Sequence, residues 1–198
     1  VLYYPANLKA AGKLPVIAWG NGACINAGNR FRSFLTEIAS HGYGHQRATA
    51  LSPQAFTEDI VRARLLLEDA TGHRVVGYRA PSFSIGRSNL WCHARLETAG
   101  YRYSSSVYPI VHDHYGMPEA PRFAYRVAQS LLEVPATTVR LGSRNMPCSG
   151  GGYFRLMPYA LSRWMIDRVN QLDGQPAVFY FHPWEIDPDQ PRPEAVDA

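Results

Sequence analysis

Two kinds of segment alternate along this chain and predict an α/β fold built on a parallel sheet. Short apolar runs stop abruptly at polar groups: VVGY (75–78) at Arg79, and AVFYF (177–181) at His182. Between them lie longer stretches with helical spacing and clear end signals. Apolar runs of this length read as buried strands. In parallel α/β sheets the C-terminal strand ends carry the chemistry.

The elements follow in order. Ser52 caps a helix whose first position is Pro53. Phe56, Ile60, Ala63 and Leu67 form its apolar stripe, and Gly72 ends it. After the 75–78 strand, a helix over 88–99 places Trp91 in the core and stops at Gly100. A strand is expected at 101–106, then a long loop over 107–128 rich in proline and containing His112-Asp113-His114. Short strands fit 131–134 and 137–141. Three glycines at 150–152 mark a tight turn or a close backbone approach. A helix over 158–170 has Leu161, Trp164, Met165 and Val169 as its apolar residues, and the tail from Pro188 is expected to fray.

The run SHGYGH (40–45) holds the first chemical signal. His41 and His45 are two imidazoles brought within reach by Gly42 and Gly44, which let the loop fold tightly. Neutral imidazoles suit a divalent ion such as zinc, whose catalytic sites usually add a third protein ligand. A histidine pair alone also occurs without metal. His182, at the end of its strand, is the distant partner, and Arg79 stands at the end of another.

Composition bounds the possibilities. At 198 residues one core is expected, and 46% hydrophobic with 18% charged residues suits a soluble globular enzyme. The net charge of +4 is spread without a Lys/Arg run, which argues against nucleic acid. A mildly basic face would still suit an anionic polysaccharide. Twelve tyrosines, four tryptophans and eight phenylalanines offer stacking surfaces for sugar rings, or simply fill the core. Cys24, Cys92 and Cys148 are odd in number and form no Cys-x-x-Cys, so free thiols are expected. No apolar stretch approaches a membrane span. With no basic-then-apolar leader, a cytoplasmic location is the default expectation.

The stretches EIASHGYGHQR (37–47), VVGYRAPSFSI (75–85), AGYRYSSSVYPIVHDHYGMPEAPRF (99–123), GGGYFRLMPY (150–159) and FYFHPWEIDP (179–188) resemble the polysaccharide deacetylases of carbohydrate esterase family 4, the NodB-homology fold. The resemblance is closest to the branch found beside exosortase and exopolysaccharide genes. It covers about residues 37–192 and implies an incomplete or irregular (β/α) barrel. It also implies metal-dependent hydrolysis of N-acetyl groups on amino sugars, with a polysaccharide or oligosaccharide as partner. His41 and His45 would be ligands of a divalent metal, zinc above all. Arg79 would orient a catalytic carboxylate, and His182 would be the general acid. The His112-Asp113-His114 triplet reads as loop structure or a substrate contact rather than a ligand set.

The family also uses an Asp-Asp motif upstream of the histidine pair, and residues 1–36 contain no acidic residue. The first strand-helix unit is therefore expected to be replaced and activity impaired. The alternatives are a non-catalytic carbohydrate-binding fold or an α/β-hydrolase-type esterase. Residues 2–43 are similar to the N-terminal part of certain α/β-hydrolases, with Gly20-Asn21-Gly22 as an oxyanion-type loop. No Gly-x-Ser-x-Gly elbow accompanies it. The expected division is 1–43, 37–192 and a tail at 193–198. Where the first two overlap, Phe31, Phe34, Leu35 and Ile38 recur at helical spacing. A helix over 30–40 is thereby favoured, with His41 in its last turn, over the strand the deacetylase scaffold requires.

Overall fold

A computed structural model describes residues 39–182 and Glu185. Its centre is a sheet in the order β1-β2-β3-β5-β4: β1 (Ala39–Ser40), β2 (Gly77–Tyr78), β3 (Tyr103–Ser104), β5 (Leu132–Glu133) and β4 (Tyr125–Arg126). The first four strands are parallel, and β4 closes the edge antiparallel to β5. Among the described residues the sheet stays open rather than closing into a barrel. A separate hairpin joins β6 (Thr138–Leu141) to β7 (Arg144–Pro147).

The helix α1 (Pro53–Thr71) forms where its local signals place it. Ser52 accepts the Ala55 N–H, and Gly72 adopts φ 71°, the left-handed conformation glycine takes without penalty. Phe56 and Ile60 are fully buried against Tyr78, Leu96, Tyr101 and Leu131, with Leu67 and Trp91 packed at the margin. Each such side chain contributes about 1.5–3 kcal/mol through burial. The second helix, α2 (Trp91–Thr98), starts after a single 3-10 turn and stops before Gly100. Cys92 and Cys148 are buried free thiols, and burial pushes both up to about 12.

Three expectations give way. Ala39 and Ser40 pair in parallel with Gly77 and Tyr78, so the end of the expected 30–40 helix is a strand. Both residues are buried against the sheet, and that burial outweighs the helical spacing of their neighbours. The remainder of that helix, the α/β-hydrolase-like segment before residue 39 and the tail lie outside the described residues. Residues 177–181 form no strand, are half-buried and join neither sheet. The backbone bonds of this segment include the Thr137 N–H on the Val178 carbonyl, the Val178 N–H on Thr137 Oγ1 and the Gly151 N–H on the Tyr180 carbonyl. The helix α4 (Tyr159–Leu172) buries Ser162, Met165 and Val169 but leaves Leu161 and Trp164 exposed. It is rotated from the expected stripe because its contact is with the β6–β7 hairpin, which the 137–141 strand alone did not reveal. The glycine run behaves as expected. Gly150 has φ 103°, and a Cβ there would lie 2.4 Å from the Tyr180 ring. The short helix α3 (Gly151–Leu156) starts directly after it.

Candidate active site

His41, Arg79 and residues 105–107 follow β1, β2 and β3 at their C-terminal ends, and the 177–181 segment delivers His182 to the same place. The four predicted residues His41, His45, Arg79 and His182 line one cavity of roughly 290 Å³. His114 and Tyr115 from the long loop join them, and Phe83, Tyr180 and Phe181 supply aromatic surface. Of the His112-Asp113-His114 triplet, only His114 reaches the lining. His112 stacks on Tyr115 at 3.9 Å, which makes the triplet a support for that ring.

The histidine pair is set by its loop. The His41 and His45 ring centroids lie 5.0 Å apart at 65°. The Arg79 carbonyl accepts from His41 Nδ1 at 2.7 Å, which leaves the Nε2 lone pair free. Burial, reinforced by the charges of His45, Arg79 and His182 against that hydrogen bond, lowers His41 to about 4, so the ring is neutral at pH 7. A neutral imidazole with its other nitrogen tied to a carbonyl has the form of a metal ligand. The loop itself is clamped from α1. Asp59 accepts the Tyr43 N–H at 3.0 Å and the Gly44 N–H at 2.7 Å. Arg62 lies 3.7 Å over the Tyr43 ring and donates to its hydroxyl. Gly42 has φ 81°, and a Cβ there would stand 2.7 Å from Asp59 Oδ2.

Arg79 is held by Ser105, whose Oγ accepts from Nη2 at 2.8 Å. Its Nε and Nη1 are screened from solvent and have no hydrogen-bond partner among the described residues. They face aromatic rings, with the guanidinium carbon 5.0 Å from the Phe83 centroid and 5.4 Å from Tyr180. Burial lowers the guanidinium pKa, opposed by Tyr180 and Glu133. Beneath it, Glu133 is fully buried and accepts the Ser106 and Val107 N–H groups at 2.6 and 2.8 Å. Ser106 Oγ in turn accepts the Ala80 N–H. His182 is half-exposed, and its backbone N–H donates to Glu185 at 2.7 Å. Glu185 also meets Arg155 of α3 at 3.3 Å.

Backbone strain gathers here as well. Among the described residues, the non-glycine positions with positive φ are His45, Ser82 and Phe83, and all three line the cavity. Such conformations cost about 1–3 kcal/mol each and persist where surrounding structure enforces them. The sequence reading missed Asp59, Ser105, Glu133 and Glu185. Of these, Glu185 had a signal, in the motif that holds His182.

The two imidazoles fit a divalent ion as two of its ligands. No group of three His, Cys, Asp or Glu side chains that could hold a metal occurs among the described residues.

A mainly parallel sheet carries imidazoles and a guanidinium at its strand ends, an α/β arrangement. Residues 29–104 match the polysaccharide deacetylase family model, and residues 105–198 match a domain of unknown function, DUF3473. The deacetylase match is confined to that first segment, ending at β3. It is 38% identical over 71 residues to a peptidoglycan deacetylase-like protein, FGM2, of Gibberella zeae, a match covering 36% of this chain and 20% of the relative. The fold is shared with a polysaccharide deacetylase-type crystal structure from Mycobacterium smegmatis, at 21% identity and a TM-score of 0.52. That likeness covers 79% of this chain and 52% of the other. The chain thus spans a fifth of the curated relative's length and half of the structural one's.

Proposed function

We propose that this chain is a metal-dependent polysaccharide deacetylase that removes N-acetyl groups from amino sugars, with activity weakened because no carboxylate lines the cavity among the described residues. The observation that carries this reading is the meeting of His41, His45, Arg79 and His182 in one cavity at the strand ends. His41 and His45 would hold a divalent ion, zinc by the chemistry of paired imidazoles. When bound, such an ion supplies polarisation of the acyl carbonyl and a lowered pKa for water. Phe83, Tyr115 and Tyr180 would receive the sugar face. His182, at the cavity rim beside Glu185, would donate the proton that the departing amine needs. Arg79 would hold a carboxylate by charge-assisted hydrogen bonds, and its unpartnered Nε and Nη1 support that role.

A second reading, a non-catalytic saccharide-binding fold, is favoured by one observation. No carboxylate lines the cavity among the described residues, so a general base is not in place. Calorimetric titration with zinc separates the readings, with His41→Ala and His45→Ala as controls. One equivalent of zinc, lost in both variants, together with slow acetate release from an N-acetylglucosamine oligomer, supports the deacetylase. Zinc uptake unaffected by either variant would overturn the metal assignment. Saccharide binding without zinc uptake or acetate release would favour the binding fold.

A further inference from the structure

The permanent charges lining the cavity are of one sign. Arg47 and Arg79 carry them, beside the imidazoles of His41, His45, His114 and His182, and no acidic side chain lines the cavity among the described residues. Three acids around the site are already engaged. Asp59 is taken by the Tyr43 and Gly44 amides, Glu133 by those of Ser106 and Val107, and Glu185 by Arg155 and the His182 amide. Arg47 stands in none of the ion pairs of the described residues, and its residue is exposed. Arg79 adds its charge from a dry position, where a charge is felt more strongly than in water.

A neutral amino sugar would leave Arg47 without a counter-charge among the described residues, while Arg79 has only the buried Glu133 beneath it. A saccharide bearing a carboxylate would supply one, and its ring could still lie on Tyr115 or Tyr180. We propose that the cavity selects an acidic, carboxylate-bearing saccharide, with Arg47 as the residue that contacts the carboxylate and Arg79 as the charge behind it. The inference rests on the deacetylase reading and adds the substrate's charge, which neither the fold nor the histidine pair specifies. Electrostatic selection of this kind raises the local concentration of the matching ligand and falls with salt.

The experiment compares two probes of equal length on the whole chain by titration calorimetry. One is a tetrasaccharide alternating N-acetylglucosamine with glucuronate, and the other is neutral chitotetraose. At low salt the acidic probe should bind at least about tenfold more tightly, the scale of one charged hydrogen bond. Arg47→Ala should remove most of that difference, and Arg47→Lys should restore part of it. Equal binding, or tighter binding of chitotetraose, overturns the inference and leaves the deacetylase reading standing. Failure of both probes to bind counts against the reading itself and the inference with it. Displacement of the acidic probe by an oligoglutamate of equal charge, at equal concentration, would show a surface for any polyanion and also overturn the proposal.

Discussion

Removing the Asp59 carboxylate should loosen the histidine loop without touching a histidine. Asp59 holds two successive amides, Tyr43 at 3.0 Å and Gly44 at 2.7 Å, across sixteen and fifteen residues of sequence. Hydrogen bonds to a charged acceptor contribute about 1.5–3 kcal/mol each. These two are open to water, so about 0.5–1.5 kcal/mol each is the better figure after screening. Asp59→Ala should therefore lower unfolding stability by about 1–3 kcal/mol. If half of that reappears as the cost of ordering the loop around a metal, zinc affinity falls about two- to tenfold, the equivalent of about 0.5–1.5 kcal/mol. Urea unfolding gives the first quantity and zinc calorimetry the second. Amide hydrogen exchange at Tyr43 and Gly44 reports the clamp directly. Glu58→Ala, one residue away on the same helix, should leave zinc uptake unchanged. Wild-type zinc affinity with undiminished amide protection in Asp59→Ala would refute the idea that α1 positions His45.

Two further outcomes follow from buried groups. His41 titrates at about 4 in the folded chain and near 6.5 unfolded, so between those values the unfolded state binds more protons. Metal-free protein should be at full strength from this group above about pH 6.5. It should lose about 1–3 kcal/mol as pH falls towards 4, and His41→Gln should remove that part of the slope in urea melts. Glu133→Ala would strand two buried amides and the side chain of His93, which lies 3.3 Å away. A loss of about 3–5 kcal/mol is expected by thermal or urea unfolding. An unchanged midpoint would contradict the role of Glu133 beneath Arg79.

Local chemistry made some of this molecule legible from its residues. Ser52, Pro53 and Gly72 state where α1 begins and ends, and the structure places the helix between them. Gly150 announced a close approach, and the Tyr180 ring is what approaches. The site histidines and Arg79 were visible because they terminate apolar runs or flank glycines. Tertiary burial decided the rest. Ala39 and Ser40 belong to a periodic stretch, yet pairing with Gly77 and Tyr78 makes them a strand. Trp164 carries a core-type side chain but is exposed, because α4 turns Met165 and Val169 towards the hairpin. Asp59 and Glu133 act on residues fifteen or more positions away, where no spacing rule reaches. The run Ser104-Ser105-Ser106 gave no hint that one hydroxyl would hold Arg79 and the next the Ala80 amide.

The boundary between the two family models falls at Ser104 and Ser105, the end of β3 rather than a linker. On one side stand His41, His45 and Arg79; on the other stand His114, Tyr115, Tyr180 and His182. Arg79 is fastened across the border by Ser105. The portion of unknown function therefore forms the opposite wall of the same cavity. Substitutions in either half must be tolerated by the other, so the pair should evolve in step.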